Sequence, residues 1–151
     1  MKKTVLIILI LAVLFSFSAF CEEESVTVRV NGNLIESDVP PLLKDGRTFL
    51  PLRAILNAIG VDNENITWWE LSRSVEIRHK DIHIFMILDS TQAIVNDSIY
   101  NLDAPAFETG GRTLVPVRFL SENLNCRVLW DDETYTVDII TAQIQKKGKY
   151  C

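Results

Sequence analysis

The chain has 151 residues, 48% of them hydrophobic, and carries 15 basic against 20 acidic side chains for a net charge of −5. That acidic balance excludes nucleic acid as a natural partner, because a phosphate backbone demands a positive face, and it disfavours electrostatic attachment to anionic lipid. The 3 cysteines include no C-x-x-C pair, which excludes a zinc knuckle.

Residues 1–21 read as a signal peptide. Met1-Lys2-Lys3 gives a positive start, Val5 to Phe15 an unbroken apolar run, and Ser16 to Cys21 a stretch with small residues before the acidic Glu22-Glu23-Glu24. The apolar run is shorter than the roughly 20 residues of a spanning helix, so no stable membrane span is expected after processing. Cleavage fits after Ser18 or after Cys21. A third route is lipidation of Cys21, as in bacterial lipoproteins, which the bulky Phe20 just before it opposes. Loss of Lys2 and Lys3 lowers the basic count from 15 to 13 and takes the net charge to −7. The expected location is extracellular or in the cell envelope. Export permits disulfides, and Cys126–Cys151 is the intramolecular pair left if Cys21 is lost. Cys126, among apolar and turn residues, also reads as a small buried side chain.

From Val26 the sequence repeats. Asn31, Asp38, Gly46 and Arg53 recur 65 positions on, as Asn96, Asp103, Gly111 and Arg118. After a polar insertion at Asp62–Asn65, Trp68 and Ile77 recur 62 positions on, as Trp130 and Ile139. The expected domains are therefore residues 26–80 as copy one, 81–140 as copy two and 141–151 as a polar tail. Each copy reads alike. Val26 to Val30 alternates, turns at Asn31-Gly32 and resumes at Leu34-Ile35, the signature of a hairpin. A proline-marked loop follows (Pro40-Pro41, Pro105), then a glycine turn at Gly46 or Gly111. A short strand next runs into a proline (Pro51, Pro116), which suits the first turn of a helix. Leu52, Ile55, Leu56 and Ile59 make one apolar stripe, and Gly60 or Asn125 caps the helix end. Ile66–Trp68 with Ser74–Ile77, and Val128–Trp130 with Thr136–Ile140, form closing hairpins, while Ile82–Leu88 adds an apolar strand between copies. The predicted fold class is α+β: two repeated modules, each a small twisted antiparallel sheet packed on one α-helix.

The string N-G…D-x-P-P…G-R-T-x-x-P-x-R-x…G…W…V-x-I resembles the copper amine oxidase-like N-terminal domain, or stalk domain, which is common as tandem repeats in secreted bacterial proteins. Copy two departs from it at Asn125, in place of the helix-end glycine, and at Ala106, in place of the second proline. The resemblance runs from about Val26 to Ile140 and rests on Gly46, Arg47, Thr48, Pro51 and Arg53, matched by Gly111, Arg112, Thr113, Pro116 and Arg118. It implies a five-stranded antiparallel sheet around one helix and an accessory, non-catalytic role. In that family the copper site and the quinone cofactor belong to a separate, larger domain.

The residues themselves offer little chemistry. A copper centre of three imidazoles is not available from His79 and His83 alone. Those two read as residues of a solvated hairpin turn at Lys80-Asp81. No cofactor is expected and no enzyme; an exported hydrolase using scattered carboxylates is the competing class, and an inhibitor or partner of another exported protein a third. The repeated arginines read as supports of the shared fold, holding turn carbonyls or carboxylates such as Asp38 and Asp103. Their alternative is a pair of anion-binding clefts, through the guanidinium's fixed fork. Trp68 and Trp130 match between copies and read as core anchors. Trp69 is matched by Asp131, so with Leu71 it is the candidate partner contact. The expected function is a binding, spacer or assembly unit whose partner is an envelope or extracellular protein or polysaccharide.

Overall fold

The computed structural model describes residues 25–142. The signal peptide assigned to residues 1–21, with Cys21, lies outside the described residues, as do Cys151 and most of the tail.

In chain order the elements are β1 (Thr27–Val30), β2 (Asn33–Leu34), β3 (Leu42–Lys44), β4 (Arg47–Pro51), α1 (Leu52–Ile59), β5 (Ile66–Trp69), β6 (Ser74–His79), β7 (Ile82–Ile87), β8 (Gln92–Val95) and β9 (Ser98–Asn101). There follow β10 (Phe107–Thr109), β11 (Arg112–Pro116), α2 (Val117–Asn123), β12 (Arg127–Asp131) and β13 (Thr136–Ile140). Tight turns with both central residues at positive φ connect four of the hairpins: Asn31-Gly32, Asp45-Gly46, Asn96-Asp97 and Gly110-Gly111. Such turns match the strands' right-handed twist, and their conformation is why Asn, Asp and Gly occupy them. Pro51 and Pro116 each precede a helix, and Gly60 ends α1 at φ 96 with its N–H bonded back to Leu56 and Asn57. Asn125 takes the left-handed conformation after α2. The two short strands β3 and β10 were not anticipated. Each is 3 residues long and largely exposed, too short for an alternation to register.

Strand pairing corrects the expectation that each half builds its own antiparallel sheet. Three sheets form, in the orders β12-β13-β1-β2, β10-β11-β4-β3 and β5-β6-β7-β8-β9. Each takes strands from both halves. β1 pairs in parallel with β13, from Thr27 opposite Thr136 to Val30 opposite Ile139. In the middle sheet Leu50 faces Val115, with Pro51 opposite Leu114 and Phe49 opposite Pro116. Leu50 and Val115 are themselves 65 positions apart, so this antiparallel register centres a local two-fold on them. The five-stranded sheet repeats the arrangement of the first with β7 inserted between β6 and β8. The physical reason for the exchange is burial. A hairpin as short as β1–β2 is marginal alone, and pairing with the other half's terminal hairpin buries Val28 and Val30 in a shared core.

That core is one cluster. Val28, Leu50, Ile55 and Ile77 from the first half join Ile84, Val115, Leu120 and Ile139, all at most 1% exposed. The result is a mixed fold, mostly sheet with two helices, forming a single body. The turn asparagines fasten the exchanged hairpins: the Asn31 side-chain carbonyl accepts from the Thr141 N–H at 3.0 Å, and that of Asn96 from the His83 N–H at 2.8 Å.

Candidate functional site

The repeated motif residues converge on two clefts, each of about 640 Å³. In the first, α1 contributes Leu52 and Arg53, β5 Trp68, β6 Val75 and the loop after β2 Asp38, while Arg112 and Thr113 come from β11. In the second, α2 contributes Val117 and Arg118, β12 Trp130, β13 Val137 and the loop after β9 Asp103, while Arg47 and Thr48 come from β4. The correspondence is residue for residue. The Gly-Arg-Thr arginine of each half therefore lines the cleft of the other half, because β4 and β11 pair across the local two-fold.

The two clefts differ in how their charges are used. In the first, Arg112 closes on Asp38, with Nε donating at 2.8 Å and Nη2 to the same carboxylate oxygen. The guanidinium's hydrogen bonds and charge hold the Asp38 carboxyl below its ordinary value. The two side chains are 50% and 58% exposed, so solvent screens the pair and it adds little stability. In the second, the only side-chain hydrogen bond of Arg47 among the described residues runs from Nη1 to the Asp45 carbonyl, at 2.8 Å, and its Nε is buried without a partner. No ion pair joins Arg47 to Asp103 among the described residues. Arg118 reaches Glu122 only at 3.9 Å.

Both tryptophans are half-buried, packed on the core from one side and lining a cleft from the other. Each indole N–H donates to a carboxylate two residues on, Trp68 to Glu70 at 2.6 Å and Trp130 to Asp132, which fixes the ring. Trp130 also meets Tyr135 edge-on at 5.9 Å between centroids. The clefts gather residues that spacing alone did not join: Tyr100, Asn101, Asn123 and Glu122 in the second, Glu36, Glu70 and Glu108 in the first.

Trp69 and Leu71 stand on the outside. Trp69 is 52% exposed and Leu71 fully so. Cross-strand register carries the sheet on from Trp69, with Ile87, Phe85, Ile94 and Ile99 apolar and Glu76 charged. Trp69, Ser74 and Ile87 form one row, and Thr67, Glu76, Phe85, Ile94 and Ile99 the next. The corresponding row of the first sheet reads Leu129, Asp138, Arg29 and Leu34, with charges at its centre.

The histidines part company. His79 lies opposite Ile82 and His83 opposite Arg78, so the pleat sends them to opposite faces. His83 Nε2 lies 2.8 Å from Glu76 Oε1, which Arg78 also engages; these bonds hold the Glu76 carboxyl below its usual range. Burial lowers the pKa of His79. Among the described residues no group of three or more His, Cys, Asp or Glu side chains is placed to hold a metal, and the residues present do not fit a copper site. Cys126 is buried and unbridged among the described residues, with its thiol pushed up by desolvation.

A sequence model of the copper amine oxidase N-terminal domain matches residues 29–139 in one continuous span. The chain belongs to that family. No curated protein matches the chain. The family's N-terminal domain is distinct from the catalytic domain of the amine oxidases, which agrees with a stalk-like, non-catalytic role. Among the described residues no helix is long and apolar enough to cross a membrane.

Proposed function

We propose that this chain is an exported, non-catalytic recognition module that binds a ligand outside the membrane and spaces or assembles the structures it joins. The observation that supports it is the duplicated cleft. The same arginine, aspartate, threonine and tryptophan line both copies. The halves are best understood as tandem copies of one ancestral unit that fold by exchanging hairpins, a reading supported by the 65-residue offset and by the register that sets Leu50 opposite Val115. Export is proposed from residues 1–21, whose three-part layout is that of a signal peptide.

Incubating the purified protein with cell-envelope polysaccharide and protein fractions tests the reading. Saturable retention without turnover of the retained material is expected. Product release from a polysaccharide or peptide panel would replace it with the hydrolase reading. A second contact, with a protein partner, is proposed for Trp69 and Leu71, favoured by their exposure and by the exposed Ile94 on the same sheet, where the other sheet carries Arg29.

A further inference from the structure

We infer that the second cleft, the one walled by Trp130, binds a neutral sugar unit of an extracellular glycan. This rests on the clefts being recognition sites and names the ligand class. The contrast between the two clefts carries it. In the first, Arg112 and Asp38 consume each other. In the second, the equivalent Arg47 and Asp103 line the same space without an ion pair between them, and Arg47 engages only Nη1, on the Asp45 carbonyl, which leaves Nη2 without an acceptor among the described residues.

A guanidinium only donates and a carboxylate only accepts. A ligand that satisfies both at once must offer an acceptor and a donor, which the hydroxyls of one sugar unit present. The charge count points the same way: Arg47 and Arg118 are balanced by Asp103 and Glu122, so the cleft has no net attraction for an anion. The whole acidic chain repels one. Trp130 and Tyr100 add the apolar surface that the C–H face of a pyranose ring covers, with polar atoms at their edges. A cavity of about 640 Å³ is in the size range of small-ligand sites.

The test titrates the purified chain, by calorimetry and tryptophan fluorescence, with cellohexaose and chitohexaose as neutral probes, polygalacturonate as an acidic one, and a hexapeptide with a free C-terminus. A neutral oligosaccharide is expected to bind saturably. Arg47→Ala and Asp103→Asn should each weaken it about tenfold or more, as loss of a charged hydrogen-bonding partner does, while Arg127→Ala, an exposed position outside both clefts, leaves it unchanged. Asp103 is exposed, so Asp103→Asn keeps the test readable even if Arg47→Ala impairs folding. Binding of polygalacturonate or the peptide alone, dependent on Arg47 and indifferent to Asp103, would keep the clefts as recognition sites and overturn the neutral-sugar assignment. Binding of none of the four would overturn both.

Discussion

Replacing Leu50 by alanine strikes the point where the halves meet. Leu50 is 0% exposed and sits opposite Val115 on the local two-fold of the middle sheet. Truncating a fully buried leucine forfeits its transfer free energy and leaves a cavity, about 2–5 kcal/mol together, against a total stability of about 5–15 kcal/mol for a domain. For a body of this size that lowers the melting temperature by roughly 8–20 °C. The assay is thermal unfolding followed by far-ultraviolet circular dichroism and by tryptophan fluorescence. Trp68 and Trp69 report on the five-stranded sheet and Trp130 on the four-stranded sheet that holds β1. Because β4 and β11 share one core, both signals should move together in a single transition. A shift below about 1 kcal/mol, or two separated transitions, would refute the shared-core account.

Four further outcomes are expected. Residues 26–80 and 81–140 made as separate polypeptides should each be unfolded alone and regain sheet content on mixing, since β1 without β13 lacks its neighbour; independently folded halves would contradict this. Ser121→Ala should stabilise the protein by about 1 kcal/mol in urea denaturation, because the Ser121 hydroxyl is buried without a partner and such a group costs about 1–3 kcal/mol. His79→Gln should flatten the acid side of the stability–pH profile. Burial lowers the folded pKa of His79 below 6.5, so the unfolded state binds more protons in that window and stability falls as pH drops from 6.5 towards the folded value. Trp69→Ala should change unfolding free energy by less than about 0.5 kcal/mol while reducing retention on the protein fraction of the envelope; full retention would remove Trp69 from the contact.

Much of the local structure was legible because single residues dictate it. Asn31-Gly32 and Gly111 need positive φ, Pro51 and Pro116 lead into helices, and Gly60 stops one. The i, i+3, i+4 stripe of Leu52, Ile55 and Leu56 also named the buried face of α1. Partnership was not legible. Alternation in Val26–Val30 announces a strand with one buried face, and nothing in it distinguishes a neighbour nearby from β13 more than a hundred residues on. The same blindness hid the site. Arg47 and Arg112 sit close in sequence to their own helices, yet line the clefts of the opposite halves, so local spacing placed each in the wrong company. Asp38 and Asp103 both read as arginine partners, but among the described residues only Asp38 pairs with an arginine, that of the other half. Trp68 and Trp130 read as core anchors, and they do pack on the core. Their second role as cleft walls follows from the helix beside them, which the strand pattern does not encode.

The 3 tryptophans of the chain supply the most direct test of the central claim, because each stands at a different surface: Trp68 in the first cleft, Trp130 in the second, and Trp69 on the outer sheet face. Their indole N–H signals can be followed together by nitrogen-edited nuclear magnetic resonance while cellohexaose or chitohexaose is added. The account predicts that the Trp130 signal shifts saturably, and that the Trp68 and Trp69 signals stay in place. Shifts confined to Trp68 or Trp69, or an unmoved Trp130 at saturating oligosaccharide, would contradict it.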